Sequence, residues 1–263
     1  GGKVVANCEP AEETAKSLAE MMIGTSLSFP EEHEQEMGLQ RLAVNKLTAA
    51  SQDPFGVDIQ NVSFEVRSGE IFGIGGVAGN GQVELMQSLI GETSTKSDAV
   101  LIDGEAVGDL GPADRRLRGM CSVPEERLGH GAVPDMTLWE NTILSARTRM
   151  KMGRRGFVDL KAAKTFAHQV IKEFNVKTGG IENAARSLSG GNLQKFIVGR
   201  EILQAPSVFI IMQPTWGLDA AAAVAIHSAL QKMAENGAAI LVISQDLDEL
   251  MAISTTFAVI SQG

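Results

Sequence analysis

The chain has 263 residues, of which 44% are hydrophobic, and this is enough apolar surface to build the core of one large domain. The formal net charge of −9 disfavours free nucleic acid as a partner. The two cysteines, Cys8 and Cys121, provide neither a metal-binding framework nor a disulfide scaffold. No apolar run approaches the roughly 20 residues of a membrane-spanning helix.

The first 38 residues divide into two parts. Residues 1–24 are predicted to form a short strand and then a helix, because small and aliphatic residues fall on one stripe at helical spacing. Residues 25–38 are acidic, polar and aperiodic, so they are predicted to be a linker.

From residue 39 to 263, strand-like and helical runs alternate, which predicts a layered α/β domain with a mostly parallel sheet. The predicted strands are Leu42–Leu47, Ile59–Val66, Ile71–Ile74, Val100–Ile102, Gly119–Val123, Val208–Met212, Ala239–Ser244 and Thr256–Ile260. Residues from about 134 to 204 carry little strand signal, so we expect a helical subdomain there.

A glycine-rich loop, GGVAGNGQVEL, follows the third predicted strand and leads into a helix predicted over Gln82–Ile90. A strand, glycine loop and helix in this order aim backbone N–H groups and a helix N-terminus at one point, which favours an anion. The dinucleotide-binding pattern G-x-G-x-x-A fits Gly73, Gly75 and Ala78, with Asp103 as a ribose-binding acid.

The phosphate-binding pattern G-x-x-x-x-G-K-[ST] also fits this loop, through Gly76 and Gly81. However, Gln82 stands in place of its lysine and Val83 in place of its hydroxyl residue. For either pattern by itself, a tight turn without a ligand is the simpler interpretation.

Three further motifs follow in chain order. They are SLSGGNLQK at 187–195, the strand Val208–Met212 continued by QPTWGLD at 213–219, and the strand Ile240–Ser244 continued by Gln245. This order resembles the nucleotide-binding domain of ABC transporters, with its LSGGQ signature, its Walker B strand before PTxGLD, and its switch histidine after a later strand. LSGGNLQK and the segment VPEERLGHGAVPDMTLWEN at 123–141 are similar to those of simple-sugar and nucleoside importers. The dinucleotide interpretation explains neither LSGGN nor PTWGLD, so it falls away.

The resemblance implies a P-loop NTPase-like core with an antiparallel β part near the N-terminus and a helical subdomain. Such importers carry two of these domains in one polypeptide. Residues 1–24 look like the end of a preceding domain, so 39–263 would be the second, C-terminal one. The implied cofactors of the full-length subunit are ATP and Mg²⁺. The implied partners are the N-terminal nucleotide-binding domain, membrane permease subunits and, indirectly, a solute-binding protein. The implied location is cytoplasmic, at the inner face of the cell membrane.

Six positions depart from the family pattern, and each loses phosphate, metal or proton chemistry. They are Gln82 for the Walker A lysine, Val83 for its hydroxyl residue, Glu125 for the Q-loop glutamine, Met212 for the Walker B aspartate, Gln213 for the catalytic glutamate and Gln245 for the switch histidine. Loss of a general base alone costs about 10²–10⁴ in rate. The resemblance therefore implies that the chain has no intact catalytic residue and no metal ligand, and that by itself it hydrolyses ATP weakly or not at all.

Weak binding of ATP or another anion is still expected from the loop, through Gly76, Gly79, Asn80, Gly81 and Gln82. Phe55 lies near the family's adenine-stacking aromatic residue and is expected either to stack on a base or to tuck against the core.

The signature is retained, and Ser189, Gly190, Gly191 and Asn192 would complete the ATP site of the partner domain across a head-to-tail dimer. Asp219 would lie at the same interface, and it is also expected to cap the following helix, predicted over Ala220–Met233.

After Pro134 the family receives the coupling helix of its membrane partner. Met136, Leu138 and Trp139 would line that groove or else belong to the core of the subdomain.

Two other functions remain open from the sequence. One is a slow ATPase that works by itself, which the residues at 82, 212 and 213 disfavour. The other is a soluble ABC-type protein used in repair or translation, which the acidic charge disfavours.

Overall fold

The computed structural model of the protein describes residues 38–154 and 156–263. The predicted N-terminal tail, 1–24, and all but the last residue of the predicted linker, 25–38, lie outside the described residues.

The strands in chain order are β1 (Gln40–Ala49), β2 (Ile59–Arg67), β3 (Ile71–Gly75), β4 (Val100–Ile102), β5 (Glu105–Ala106), β6 (Met120–Val123), β7 (Gly153–Arg154), β8 (Phe157–Val158), β9 (Val208–Met212), β10 (Ala239–Ser244) and β11 (Thr256–Val259). The α-helices are α1 (Gln82–Ile90), α2 (Pro112–Leu117), α3 (Leu138–Ala146), α4 (Leu160–Glu173), α5 (Gly190–Ile202), α6 (Ala220–Glu235) and α7 (Leu247–Ile253).

Two larger sheets form the core, as the sequence predicts. The first has four antiparallel strands in the order β2-β1-β4-β5. The second has five parallel strands in the order β11-β3-β10-β9-β6. Strands β9 (VFIIM) and β10 (AILVIS) are buried along their whole length, as is typical of central parallel strands covered on both faces.

The register of the parallel sheet brings the ends of its central strands together. Ser244 pairs with Gly75, and Ile243 pairs with Met212. The glycine loop, the turn at 213–219 and the segment after β10 therefore leave the sheet side by side at its carboxyl edge, where ligands of open α/β sheets bind.

The helical part contains α3, α4 and α5. Thr137 caps α3: its hydroxyl accepts from the Glu140 N–H at 3.3 Å, and the Glu140 carboxylate accepts from the Thr137 N–H at 2.8 Å. Phe166 of α4 and Phe196 of α5 are buried in the same hydrophobic core as Phe209 of β9, so this part packs directly on the parallel sheet.

All eight predicted strands are confirmed, with boundaries that differ by at most two residues. Strands β5, β7 and β8 were not predicted, because two-residue strands carry no periodic signal. The pair β7-β8 is an antiparallel interruption within the otherwise helical stretch.

Candidate functional site

The glycine loop is closed by one of its own side chains. Gln82 is 3% exposed; its Nε2 donates to the Val77 carbonyl at 2.9 Å, and its Oε1 accepts from the Asn80 N–H at 3.0 Å. Because a Cβ at Gly76 would lie 2.7 Å from the backbone oxygen of Ile260 and also 2.7 Å from Gln82 Nε2, only glycine fits there. One backbone N–H of the expected anion site is therefore already occupied within the loop.

The cleft beside this loop is acidic. It has a volume of about 410 Å³, and Asp53, Glu84 and Glu92 line it, whereas its described lining includes no lysine or arginine. The Glu84 carboxylate accepts from the Val57 N–H at 3.1 Å and from the Ser51 hydroxyl at 3.2 Å, which fixes it in the cleft. A triphosphate fits these residues poorly, because the three carboxylates would repel its phosphate oxygens and no side-chain cation of the described lining would neutralise them.

Phe55 lies at the rim of the same cleft and is 97% exposed. The expectation that it tucks against the core is therefore wrong, and its ring is free to stack. Val83, also in the lining, is 46% exposed and offers no hydroxyl.

The two residues for which the resemblance implies Walker B acids are buried and uncharged. Met212 is 3% exposed inside the core, and Gln213 is 6% exposed. The Gln213 Oε1 accepts from the Ser244 hydroxyl at 3.3 Å and from the Gln245 N–H at 3.4 Å. Because an amide cannot take a proton from water, this arrangement offers no general base.

Glu125 and Gln245 complete the set of altered positions at this edge. Glu125 follows β6, and burial raises the pKa of its carboxyl above the usual value. The Gln245 residue is exposed. No cluster of three or more His, Cys, Asp or Glu residues with the geometry of a metal site occurs within 38–154 and 156–263.

Glu249 of α7 is a buried hub beneath this edge, and sequence reasoning missed it. Its carboxylate accepts from the Thr215 hydroxyl at 2.5 Å and the Ser244 hydroxyl at 2.8 Å, and it lies 2.9 Å from His227 Nε2. It joins the turn at 213–219 to β10 and α6, so it fixes the position of that turn.

The signature segment is open to solvent, in contrast to the glycine loop. Ser189 and Gly190 are exposed at the start of α5. The Ser189 hydroxyl receives one hydrogen bond, from Asn192 Nδ2 at 2.9 Å, and Asn192 Oδ1 accepts from the Lys177 N–H at 2.8 Å. Gly190 and Gly191 lie in the first turn of α5, where N–H groups have no acceptor within the helix and the positive end of the helix dipole favours an anion.

Asp219 precedes α6 and is exposed. Its carboxylate accepts from the Ala222 N–H at 2.8 Å, so the expected helix cap is confirmed. Trp216, in the same turn, is 61% exposed. The PTWGLD turn therefore presents an apolar ring and a carboxylate to solvent.

Arg127 joins the signature to this turn, and sequence reasoning did not single it out. Its Nε donates to Gln194 Oε1 at 3.1 Å, and its Nη2 donates to the Trp216 carbonyl. Gln194 Nε2 in turn donates to the Pro214 carbonyl at 3.1 Å. Burial lowers the pKa of Arg127 from its ordinary value.

The far half of the signature helix is anchored by a buried carboxylate. Glu201 is fully buried, 2.5 Å from Arg116 Nη1 and 2.7 Å from Arg200 Nε. Burial by itself would raise the pKa of Glu201, but the two guanidinium groups outweigh it, so its pKa is lowered. The same burial raises the pKa of the neighbouring Cys121 thiol to about 12.

The three residues proposed for a partner groove have different environments. Leu138 is fully buried, so the core interpretation is confirmed for it. Met136 is 37% exposed, and Trp139 is half-buried with its Nε1 donating to Glu182 at 2.8 Å. No described helix is long and apolar enough to cross a membrane.

Comparison with known proteins places this chain in a family. The model of the ABC transporter family matches residues 59–216. The chain is 35% identical over 262 residues to the nucleoside import ATP-binding protein NupA of Lactococcus lactis, covering 100% of this chain and 52% of that protein. It is 34% identical to the guanosine import ATP-binding protein NupO of Bacillus subtilis, of which it covers 51%. The chain thus spans about half the length of the curated relatives it matches.

Solved structures share the fold. The dimeric ATP-binding cassette MJ0796, in a post-hydrolysis state bound to ADP and Pi, superimposes with a TM-score of 0.69 at 20% identity, over 84% of this chain and 95% of that one. An ATP-binding subunit of an ABC transporter gives a TM-score of 0.67 at 22% identity, over 85% of this chain and 87% of that one. The family match spans more than half of the sequence, so the chain belongs to the ABC transporter family of ATP-binding domains.

Proposed function

We propose that this chain is the second, C-terminal nucleotide-binding domain of the ATP-binding subunit of an importer, and that the imported solute is a nucleoside or a simple sugar. The substrate class is supported by NupA and NupO, which are named for the import of nucleosides and guanosine. It is also supported by a ribose import ATP-binding protein of Chelativorans, which is 32% identical over 264 residues and of which the chain covers 51%. Two observations support the proposed two-domain architecture. The chain covers only 52% of the length of NupA, and the sequence of residues 1–24 has the strand-and-helix pattern expected at the end of a preceding domain.

One contrast carries the proposal. The chain's own glycine loop is filled by Gln82 and faces an acidic cleft, whereas Ser189 and Gly190 of its signature are exposed. The nucleotide site beside the chain's own glycine loop is therefore hydrolytically inactive or very weak. The signature serves the ATP site of the first domain, which it completes in trans.

In that site, ATP held with Mg²⁺ by the first domain supplies the phosphoanhydride bond that is cleaved. The Ser189 hydroxyl and the N–H groups of Gly190, Gly191 and Asn192 contribute hydrogen-bond donors, and the N-terminus of α5 adds a partial positive charge. Asp219 lies at the same interface while it caps α6.

The proposed subunit acts at the cytoplasmic face of the cell membrane together with permease subunits. A solute-binding protein delivers the solute to those permease subunits. Met136 and Trp139 are the accessible apolar residues at the entry to the helical part, and they are proposed to contact the permease.

Steady-state ATPase of the two-domain subunit tests the proposal. Ser189→Arg is expected to lower ATP turnover by roughly 100-fold or more, because it removes a donor and fills the exposed face of the signature. Gln169→Arg places the same side chain on the exposed face of α4 and serves as the control, with turnover close to wild type. Unchanged turnover in Ser189→Arg would refute the trans role.

A further inference from the structure

Arg127, in the segment that follows β6, lies between the signature at the start of α5 and the PTWGLD turn. Arg127 is half-buried, with Gln194 of α5 on one side and the carbonyl of Trp216 on the other. The signature and the PTWGLD turn are separated in sequence by the rest of α5 and by β9, and this guanidinium contacts both segments. It therefore has the position of a tie between them.

A second bridge runs parallel to the first. Gln194, 1% exposed, accepts from Arg127 and donates to the Pro214 carbonyl at 3.1 Å. The side-chain amide of Gln194 is thus held in one orientation, with its Oε1 toward Arg127 and its Nε2 toward the turn. Loss of Arg127 would leave the buried Oε1 of Gln194 without this donor.

Gly190 leaves room for the guanidinium. A Cβ at Gly190, in the signature, would lie only 3.0 Å from Arg127 Nη1. A Cβ at Gly217, in the PTWGLD turn, would lie at the ordinary contact distance of 3.8 Å from Nη2, and it is the φ of +66 that favours glycine there. The guanidinium therefore lies close to the backbone of both segments.

We propose that Arg127 is a positioning residue that locks the signature to the PTWGLD turn, so that Ser189 and Asp219 meet the partner domain as one rigid unit. Its functional part rests on the proposed trans role of the signature. Arginine is required because its planar fork serves two acceptors at once, which a lysine ammonium does not reproduce.

Hydrogen exchange of this chain tests the tie without any nucleotide or partner domain. In Arg127→Gln, the amides of residues 215–219 are expected to exchange about 10-fold faster or more, because hydrogen bonds from a charged donor are lost. The matched control is Arg67→Gln, which removes an exposed arginine whose side chain is 51% accessible. Arg127→Lys provides a milder variant should the first fold poorly, and it is expected to exchange faster as well.

ATPase of the two-domain subunit tests the consequence. Arg127→Gln and Arg127→Lys are expected to lower kcat about 10-fold or more with little change in KM for ATP, because the first domain still binds the nucleotide. Rescue of kcat by lysine would overturn the fork argument. A loss of turnover that appears as a large rise in KM would overturn the positioning role.

The two measurements separate failure of this inference from failure of the proposed function. Unchanged exchange at 215–219 in Arg127→Gln refutes the tie, whatever the ATPase does. Faster exchange with unchanged turnover, in a subunit that Ser189→Arg inactivates, refutes its role in the trans site. If Ser189→Arg leaves turnover intact, the proposed function fails, and exchange at 215–219 alone decides whether the tie exists.

Discussion

Gln82→Lys adds a cation to the glycine loop, and it measures how much the residue at position 82 limits the affinity of this loop for ATP. The substitution also removes two hydrogen bonds inside the loop, from Gln82 to Val77 and from Asn80 to Gln82. Each of these contributes about 1 kcal/mol, so we expect the free energy of unfolding to fall by about 2 kcal/mol. Gln82→Met loses the same two bonds without adding a charge, and it is the matched control.

Comparing the lysine and methionine variants isolates the cation. A charge-assisted hydrogen bond to a phosphate contributes about 1.5–3 kcal/mol, so the lysine variant should bind ATP about 10- to 150-fold more tightly than the methionine variant. Calorimetric titration of the chain with ATP, with and without Mg²⁺, measures this ratio.

Turnover of ATP should stay at background in both variants, because Met212 and Gln213 still offer neither a metal ligand nor a base. Equal affinity of the two variants would refute the argument that the missing cation limits binding. Magnesium-dependent hydrolysis by the unaltered chain would refute the whole account of its own site.

The buried carboxylate in α5 gives the remaining predictions. Arg116→Met should lower the free energy of unfolding by about 3 kcal/mol in urea denaturation, because Glu201 loses one of its two guanidinium partners while fully buried. Arg118→Met, which breaks an exposed 3.3 Å contact with Glu105, should cost less than about 1 kcal/mol, and an equal loss in both would contradict the burial argument. The lowered pKa of Glu201 means that its stabilising contribution is present above the ordinary value of 4.5 and is lost as the pH falls through the lower value of the folded state. Unfolding free energy should therefore fall more steeply below pH 4.5 in the wild type than in Glu201→Gln, and parallel curves would refute this assignment.

The fold was predictable because its strongest signals are local. Short stretches of sequence are enough to predict three of its elements. These are the strands VFIIM and AILVIS and the helix Gln82–Ile90, which has a glycine on either side. Gly91 closes that helix in the left-handed conformation, as a C-terminal glycine should. The two-residue strands β5, β7 and β8 were missed because pairing, and not periodicity, defines them.

The contacts of the candidate site could not be predicted from the sequence. Gln82 stands where the resemblance implies a lysine, which stays a prediction, and its hydrogen bonds within the loop depend on the three-dimensional path of Gly76–Gly81. Arg127 and Glu249 were missed because their partners lie far away in the sequence: Trp216 is 89 residues from Arg127, and Thr215 is 34 residues from Glu249. A charged residue beside a recognised motif is the sequence signal that would have found Arg127.

The central claim is that the chain's own nucleotide site is not needed for hydrolysis whereas its signature is. One comparison of ATP turnover in the two-domain subunit tests this claim most directly. Gln213→Asn alters the chain's own site, and Ser189→Arg alters the exposed signature. The account predicts turnover near wild type for Gln213→Asn and a loss of roughly 100-fold or more for Ser189→Arg. Loss of turnover in Gln213→Asn, together with normal turnover in Ser189→Arg, would contradict it.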